Sequence, residues 1–163
     1  MAAGVLRPRR YVEAMLITNH VLSGALIGAA VRRPVPAFVL GVASHFMLDA
    51  VPHWGDWVNG EQFLRVAVRD GLTGLATIGL CAAVAPPSAR PAVLAGMAGA
   101  ALPDLDKPSR VWFGRSPFPR PVDEFHAVIQ RESQGRAPVE LVSAAAFATA
   151  ALAILGTRRQ RGR

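Results

Sequence analysis

Five apolar runs divide this chain, and proline or paired arginines end the first and third of them. The runs cover residues 13–31, 36–51, 70–85, 91–102 and 137–156. Arg32-Arg33-Pro34 follows the first run and Pro86-Pro87 follows the third, and proline cannot continue a helix through its interior. Because short connections place consecutive helices antiparallel, the pattern predicts an all-α, up-and-down bundle of about five apolar helices.

Composition favours a membrane location for this bundle. Hydrophobic residues make up 52% of the chain and charged residues 18%, with a mean hydropathy of +0.30. The basic segments 1–12 and 157–163 flank the first and last apolar helices, where charges meet a lipid surface. We therefore predict one helical membrane domain over residues 1–163. A soluble helical bundle is the alternative, because the runs do not exceed the ~20 residues that span a bilayer.

The charge of the chain limits the classes of molecule that we expect it to bind. The formal net charge is +7 and the isoelectric point is near 11.3, but the basic residues are scattered between apolar segments, so we expect membrane lipids rather than nucleic acid. Lysine and arginine are slightly more numerous at the helix ends that carry the histidines, which predicts that this side faces the cytoplasm at the inner membrane. The single cysteine, Cys81, cannot form an internal disulfide.

The stretch 44–56 puts potential metal ligands into a segment otherwise suited to burial. His45 and Asp49 are four residues apart, so they share one face of a helix. His53 follows just after Pro52, where the helix should end or kink. Burying a carboxylate and two imidazoles is costly unless they are paired or bound to a cation. Both a buried hydrogen-bonded pair and a metal site fit this spacing.

Similar side chains recur at the same end of the predicted bundle. They are His20, Asp70, Asp104, Asp106, His126 and Glu140. The opposite end, at residues 32–33 and 86–90, has neither histidine nor acid. Independent core hydrogen bonds would not be expected to segregate in this way, so the distribution favours one shared site.

Three motifs together resemble a family of small bacterial proteins described as membrane-bound metal-dependent hydrolases. They are Thr18-Asn19-His20, the segment 44–54 and Leu102-Pro103-Asp104-Leu105-Asp106. The His-xxx-Asp element is also similar to the bacterial zinc-dependent phospholipase C and related nucleases, whose all-α bundles hold metals through His-xxx-Asp and His-xxx-Glu pairs.

The resemblance implies a set of metal ligands in this chain. His45 with Asp49 would form the first pair, and His126 with Gln130 the second, where a neutral amide replaces the carboxylate of the related pattern. One or two metals are then expected. The remaining metal ligands would come from His20, His53 and Asp104, with Asp70 as a further candidate.

A mixed set of imidazoles and carboxylates favours zinc, with manganese or iron as alternatives. A metal with an open position lowers the pKa of bound water to about 7, and Asp70 or Asp106 would serve as general base. The chain lacks Gly-x-Ser-x-Gly, a phosphate-binding glycine loop and His-Glu-x-x-His. We therefore expect a metal-dependent hydrolase acting on a phosphoester, with a lipid-linked phosphoester as one candidate substrate. The alternative is a non-catalytic integral membrane protein whose His/Asp cluster is structural.

Overall fold

The computed structural model describes residues 16–54, 60–133 and 135–161, and these form seven α-helices. The helices are α1 (Ile17–Val31), α2 (Pro34–Asp49), α3 (Gly60–Val84), α4 (Arg90–Ala101), α5 (Asp106–Phe113), α6 (Arg120–Ile129) and α7 (Ala137–Arg161). A short 3₁₀-helix, Leu102–Leu105, joins α4 to α5, and two short strands, β1 (His53–Trp54) and β2 (Glu132–Ser133), pair in parallel. The predicted all-α class is confirmed.

The helix boundaries follow the proline and arginine breaks. Arg32 ends α1 in the left-handed conformation, with φ 61°. Pro34 opens α2, a position at which the missing N–H is not needed. The predicted basic segment 1–12 lies outside the described residues, whereas α7 extends into the basic tail as far as Arg161.

The segment 109–121 is rich in proline and basic residues, a composition that predicts a surface loop, but in the structure it is partly helical. Helix α5 continues to Phe113 and α6 begins at Arg120. Pro108 lies in the first turn of α5 and Pro119 just before α6, where proline removes no intrahelical hydrogen bond. The expectation of a loop over this whole segment is therefore wrong.

Helices α1, α2 and α4 form the centre of the bundle. α4 packs against both of the others, and glycine allows the close approach: a Cβ at Gly24 would overlap the carbonyl oxygen of Gly96, and one at Gly28 that of Ala92. Helices α3 and α7 pack on α1 from outside. The apolar core between them consists of Val21, Ala25, Ala29, Cys81, Ala85, Val93, Met97, Ala151 and Leu155.

Two segments of the described chain are long and apolar enough to cross a membrane. They are Leu64–Val84 in α3 and Ala137–Thr157 in α7, each of 21 residues, which matches a hydrocarbon core about 30 Å thick. Little of either segment is buried in the bundle. The apolar helices α1 and α2 have only 15 and 16 residues. Two candidate spans are therefore found, and a bundle of about five spans stays a prediction.

The strand pair ties the end of α2 to the end of α6. His53 N–H donates to the Arg131 carbonyl at 3.0 Å, and Arg131 N–H donates to the Asp49 carbonyl at 3.2 Å. His53 stands opposite Glu132 in the register. These backbone contacts hold the last turns of α2 and α6 side by side.

Candidate metal centre

The side chains of His45 and Asp49 point from the last turns of α2 into the bundle, and both are fully buried. His45 Nδ1 donates to the Ala100 carbonyl at 2.7 Å. Because a carbonyl oxygen only accepts, the neutral ring carries its proton on Nδ1. Nε2 then presents a lone pair, the arrangement that a backbone carbonyl imposes on a metal-binding histidine.

Four buried side chains bring one donor atom each to within 4.8 Å of one another: His45, Asp49, Asp104 and His126. Asp49 Oδ2 lies 3.1 Å from His45 Nε2 and 2.8 Å from His126 Nε2. The two Nε2 atoms are 3.1 Å apart. Asp104 Oδ1 is 3.7 Å from each of them.

These separations are close to the edge lengths of a coordination tetrahedron. Zinc bonds of about 2.0–2.2 Å place neighbouring tetrahedral ligands about 3.3–3.6 Å apart. The five measured distances, from 2.8 to 3.7 Å, bracket that value. The cluster could therefore hold a metal ion.

Two further elements complete the cluster. Asp104 comes from the 3₁₀-helix after α4, and His126 from the last turn of α6. The Gln130 amide, one turn beyond His126, reaches His126 Nε2 at 3.3 Å. The predicted His126–Gln130 pair is therefore present, with Gln130 beside the cluster.

Lys107 is a buried cation beside the cluster that the sequence analysis did not identify. It lies in the first turn of α5, and its ammonium contacts the carboxylate of Asp104. Burial disfavours the ionised form of Asp104, but the Lys107 ammonium and the His45 and His20 rings hold the pKa of that carboxyl below its usual range. The three-residue spacing between Asp104 and Lys107 was the one sequence pattern that could have indicated this pair.

His20 lies directly behind the cluster, on α1. Its ring stacks on that of His45, with centroids 4.0 Å apart. His20 Nε2 is 3.3 Å from Asp49 Oδ1, yet neither His20 nitrogen nor this oxygen has a hydrogen-bond partner of good geometry within the described part of the chain. The structure thus brings His20 to the other oxygen of Asp49.

His53 and Glu140 belong to a neighbouring polar group outside the four-residue cluster. His53 is buried, and its Nδ1 donates to the Val51 carbonyl at 2.9 Å. Its Nε2 has no hydrogen-bond partner among residues 16–54, 60–133 and 135–161. The Glu140 carboxylate accepts from the Asn19 amide, and from Trp54 N–H at 3.4 Å. The carboxylate joins α1, β1 and α7.

The two predicted general bases have different surroundings. The Asp70 carboxylate accepts hydrogen bonds from the Ile17 and Thr18 N–H groups and from the Thr18 hydroxyl, the last at 2.6 Å. It therefore satisfies backbone donors at the start of α1. Asp106 is buried beside the cluster, 3.7 Å from the Arg110 guanidinium, and burial raises the pKa of its carboxyl.

Comparison with protein-family models, curated proteins and solved structures finds no match for this chain. The resemblance to membrane-bound metal-dependent hydrolases therefore rests on the sequence motifs alone.

Proposed function

We propose that this chain is a metal-dependent hydrolase that cleaves a phosphoester at the cytoplasmic surface of the inner membrane. One observation carries the proposal: four buried donor atoms from three separate elements surround one point at the spacing of metal ligands. Their mixture of imidazole and carboxylate favours zinc, with manganese or iron as alternatives.

The distances suggest unequal roles for the four side chains. His45, Asp49 and His126 are mutually 2.8 to 3.1 Å apart. Asp104 is farther away, at 3.7 Å from each ring, and also binds Lys107. Since catalytic zinc sites keep three protein ligands and one open position, we assign the first three as ligands and Asp104 to the open side.

In this scheme the protein groups divide the work of hydrolysis. A divalent ion held there would polarise the phosphoryl oxygen and lower the pKa of water to about 7. Asp104 accepts the proton that the attacking water loses as its oxygen bonds to phosphorus and the ester P–O bond breaks. That proton then passes to the leaving alkoxide oxygen, which departs as an alcohol. The Lys107 ammonium balances the charge of Asp104. His45 keeps its orientation through the Ala100 carbonyl.

The second candidate is a non-catalytic membrane protein with a structural cluster. It is favoured by the presence of a fourth donor, Asp104, within 4.8 Å of the others, because four protein ligands close a zinc site to substrate. The two candidates assign opposite roles to Asp104. As a base it is dispensable for metal binding, whereas as a fourth ligand it is required.

The first test is the metal content of protein purified in mild detergent. We expect about one zinc or manganese per chain in the wild type, and loss of that metal in His45→Ala and His126→Ala. Glu124→Gln is the matched control, because Glu124 is an exposed carboxylate on α6 paired with Arg120. No metal above background in the wild type, even after reloading, would rule out both candidates in their metal-binding form.

Asp104→Asn then separates the enzyme from the structural protein. In the enzyme, this variant keeps its metal and hydrolyses a phosphodiester lipid roughly 10²- to 10⁴-fold more slowly than wild type, the usual contribution of a general base. In the structural protein, it loses metal, and the wild type shows no turnover of such lipids.

A further inference from the structure

The depth of the metal centre along the two candidate spans can be derived from two contacts. Glu140 lies three residues after the start of the span in α7, and Asp70 six residues after the start of the span in α3. At a rise of 1.5 Å per residue, these carboxylates are about 5 and 9 Å inside the span ends.

Both carboxylates contact α1 next to His20. Glu140 binds Asn19 and Asp70 binds Thr18, while the following residue, His20, stacks on His45. The metal centre is therefore level with the first two turns of the spans. In a bilayer whose hydrocarbon core is about 30 Å thick, that level lies just below the boundary between acyl chains and headgroups, among the upper acyl chains.

Helices α5 and α6 each bring one residue to the centre, and each combines this buried residue with exposed apolar side chains. In α5, Lys107 is buried, but Trp112 and Phe113 are 73% and 74% exposed. In α6, His126 is buried, whereas Val128 is 81% exposed. Such large exposed apolar surfaces are unfavourable in water, so we expect lipid or another molecule to cover these side chains.

The charged residues beside this apolar surface indicate what kind of molecule covers it. The exposed arginines Arg110 and Arg120 form ion pairs with Asp123 and Glu124, at 2.6 Å in each case. Arg115, in the connection between α5 and α6, is exposed as well, so the exposed side chains of this region are both basic and apolar. Exposed tryptophan and phenylalanine beside paired charges are typical of the bilayer interface, where aromatic rings lie just below the headgroups.

We propose that α5 and α6 lie in the membrane interface, with Trp112, Phe113 and Val128 among the upper acyl chains of a phospholipid bilayer. The metal centre then borders the lipid rather than bulk water. Combined with the proposed function, on which this last step rests, the arrangement specifies a substrate whose phosphoester belongs to a membrane lipid and enters from the bilayer.

The test measures the depth of Trp112 in vesicles of zwitterionic phospholipid. The variant Trp54→Phe/Trp57→Phe leaves Trp112 as the one tryptophan of the chain. We expect bromine near the glycerol end of the acyl chains to quench its fluorescence more strongly than bromine near the terminal methyl. Acrylamide in the water should quench it weakly. The control reporter is Ser88→Trp in a chain without its native tryptophans, because Ser88 is exposed in the α3–α4 connection and acrylamide should reach it.

Two results would overturn the proposal. Trp112 quenched by acrylamide as strongly as the Ser88→Trp reporter would place α5 in water. Trp112 shielded from both acrylamide and bromine would mean that protein, such as a second copy of the chain, covers the surface. Metal content measured on the same samples separates the two hypotheses: bound metal with a water-exposed Trp112 defeats the interfacial location and leaves the hydrolase proposal standing.

Discussion

Two imidazole nitrogens 3.1 Å apart in a buried site need a proton or a metal ion between them. His45 Nε2 and His126 Nε2 stand in this relation, beside the carboxylates of Asp49 and Asp104. Two lone pairs would repel at this distance, so one of the nitrogens must carry a proton whenever no cation lies between them. A metal ion bound there would therefore compete with a proton for the same position.

This competition predicts that metal affinity falls steeply in acid. An ordinary histidine has a pKa of about 6.5. Below that pH, each ligand ring that must lose a proton lowers the metal affinity up to about tenfold per pH unit. Zinc titration against a competing chelator across this range measures the slope. A variant that lacks one ring, His126→Ala, should show both weaker binding and a shallower slope, and an unchanged slope would contradict the shared position.

The contribution of Asp106 to folding stability depends on pH in the opposite sense to the metal affinity, because it decreases as pH rises. Burial raises the pKa of its carboxyl, so the folded chain binds this proton more tightly than the unfolded chain, and its contribution to stability is lost as pH rises through the raised pKa. Asp106→Asn should therefore raise the melting temperature at pH 7, by about 2 °C, with the difference vanishing in mild acid. Arg110 keeps its 2.6 Å partner Asp123 in this variant. A lower melting temperature at pH 7 would contradict the prediction.

Asp70 is expected to act on stability rather than on the metal. Its carboxylate accepts the first N–H groups of α1 and the Thr18 hydroxyl. Asp70→Ala should cost about 1–2 kcal/mol, as loss of a helix cap does, and leave the metal content of the folded protein unchanged. Thermal melting and metal analysis of one preparation test both. Full stability with lost turnover would instead return Asp70 to the role of general base.

Local spacing explains which site residues the sequence could predict. His45 and Asp49 share a helix face whatever the fold, so their pairing followed from the sequence alone. Asp104 and His126 were predicted from their common end of the bundle and from the family resemblance, because their approach depends on how α4 and α6 pack against α2. The cap formed by Asp70 is a contact across more than fifty residues, which no local pattern encodes.

At the scale of elements, the crossing of α1 and α4 depends on residues without side chains. A Cβ at Gly96 would overlap the backbone carbonyl of Gly24, and backbone cannot move as a flexible side chain does. Gly96→Ala should therefore cost about 1–3 kcal/mol, as overpacking does. Gly79→Ala in α3 is the matched control: no heavy atom lies within 4 Å of its added Cβ, so it should be neutral or stabilising. Chemical unfolding of both variants in one detergent tests the crossing, and equal effects would contradict it.

Elements with strong apolar patterns were predicted well and those with mixed patterns poorly. The runs that became α1, α2, α4 and α7 are apolar with clear proline or arginine breaks. α5 was missed because its prolines resemble those of a loop. The strands β1 and β2 have two residues each, too few for any alternation, and their pairing depends on α2 and α6 ending side by side.

For the whole molecule, the cluster joins parts of the chain that are otherwise weakly connected. α1, α2 and α4 pack extensively with one another, whereas α6 makes few contacts with α2. His126 on α6 approaches Asp49 on α2 at 2.8 Å, and Asp104 lies next to α5. A metal ion bound here would therefore fasten α5 and α6 to the central three helices.

Metal removal should consequently loosen one part of the molecule before the rest. Free metal at a hundred times its dissociation constant stabilises the folded state by about 2.7 kcal/mol, so we expect chelation to lower the melting temperature by about 5–10 °C. Amide hydrogen exchange should accelerate first in α5 and α6, with α1, α2 and α4 still protected, because the latter are held by their own close packing. His126→Ala, which lacks a ligand, should already exchange quickly in α6 and should not respond to the chelator. Uniform acceleration over all helices, or a wild type indifferent to chelation, would contradict the role of the cluster as the link between the two parts.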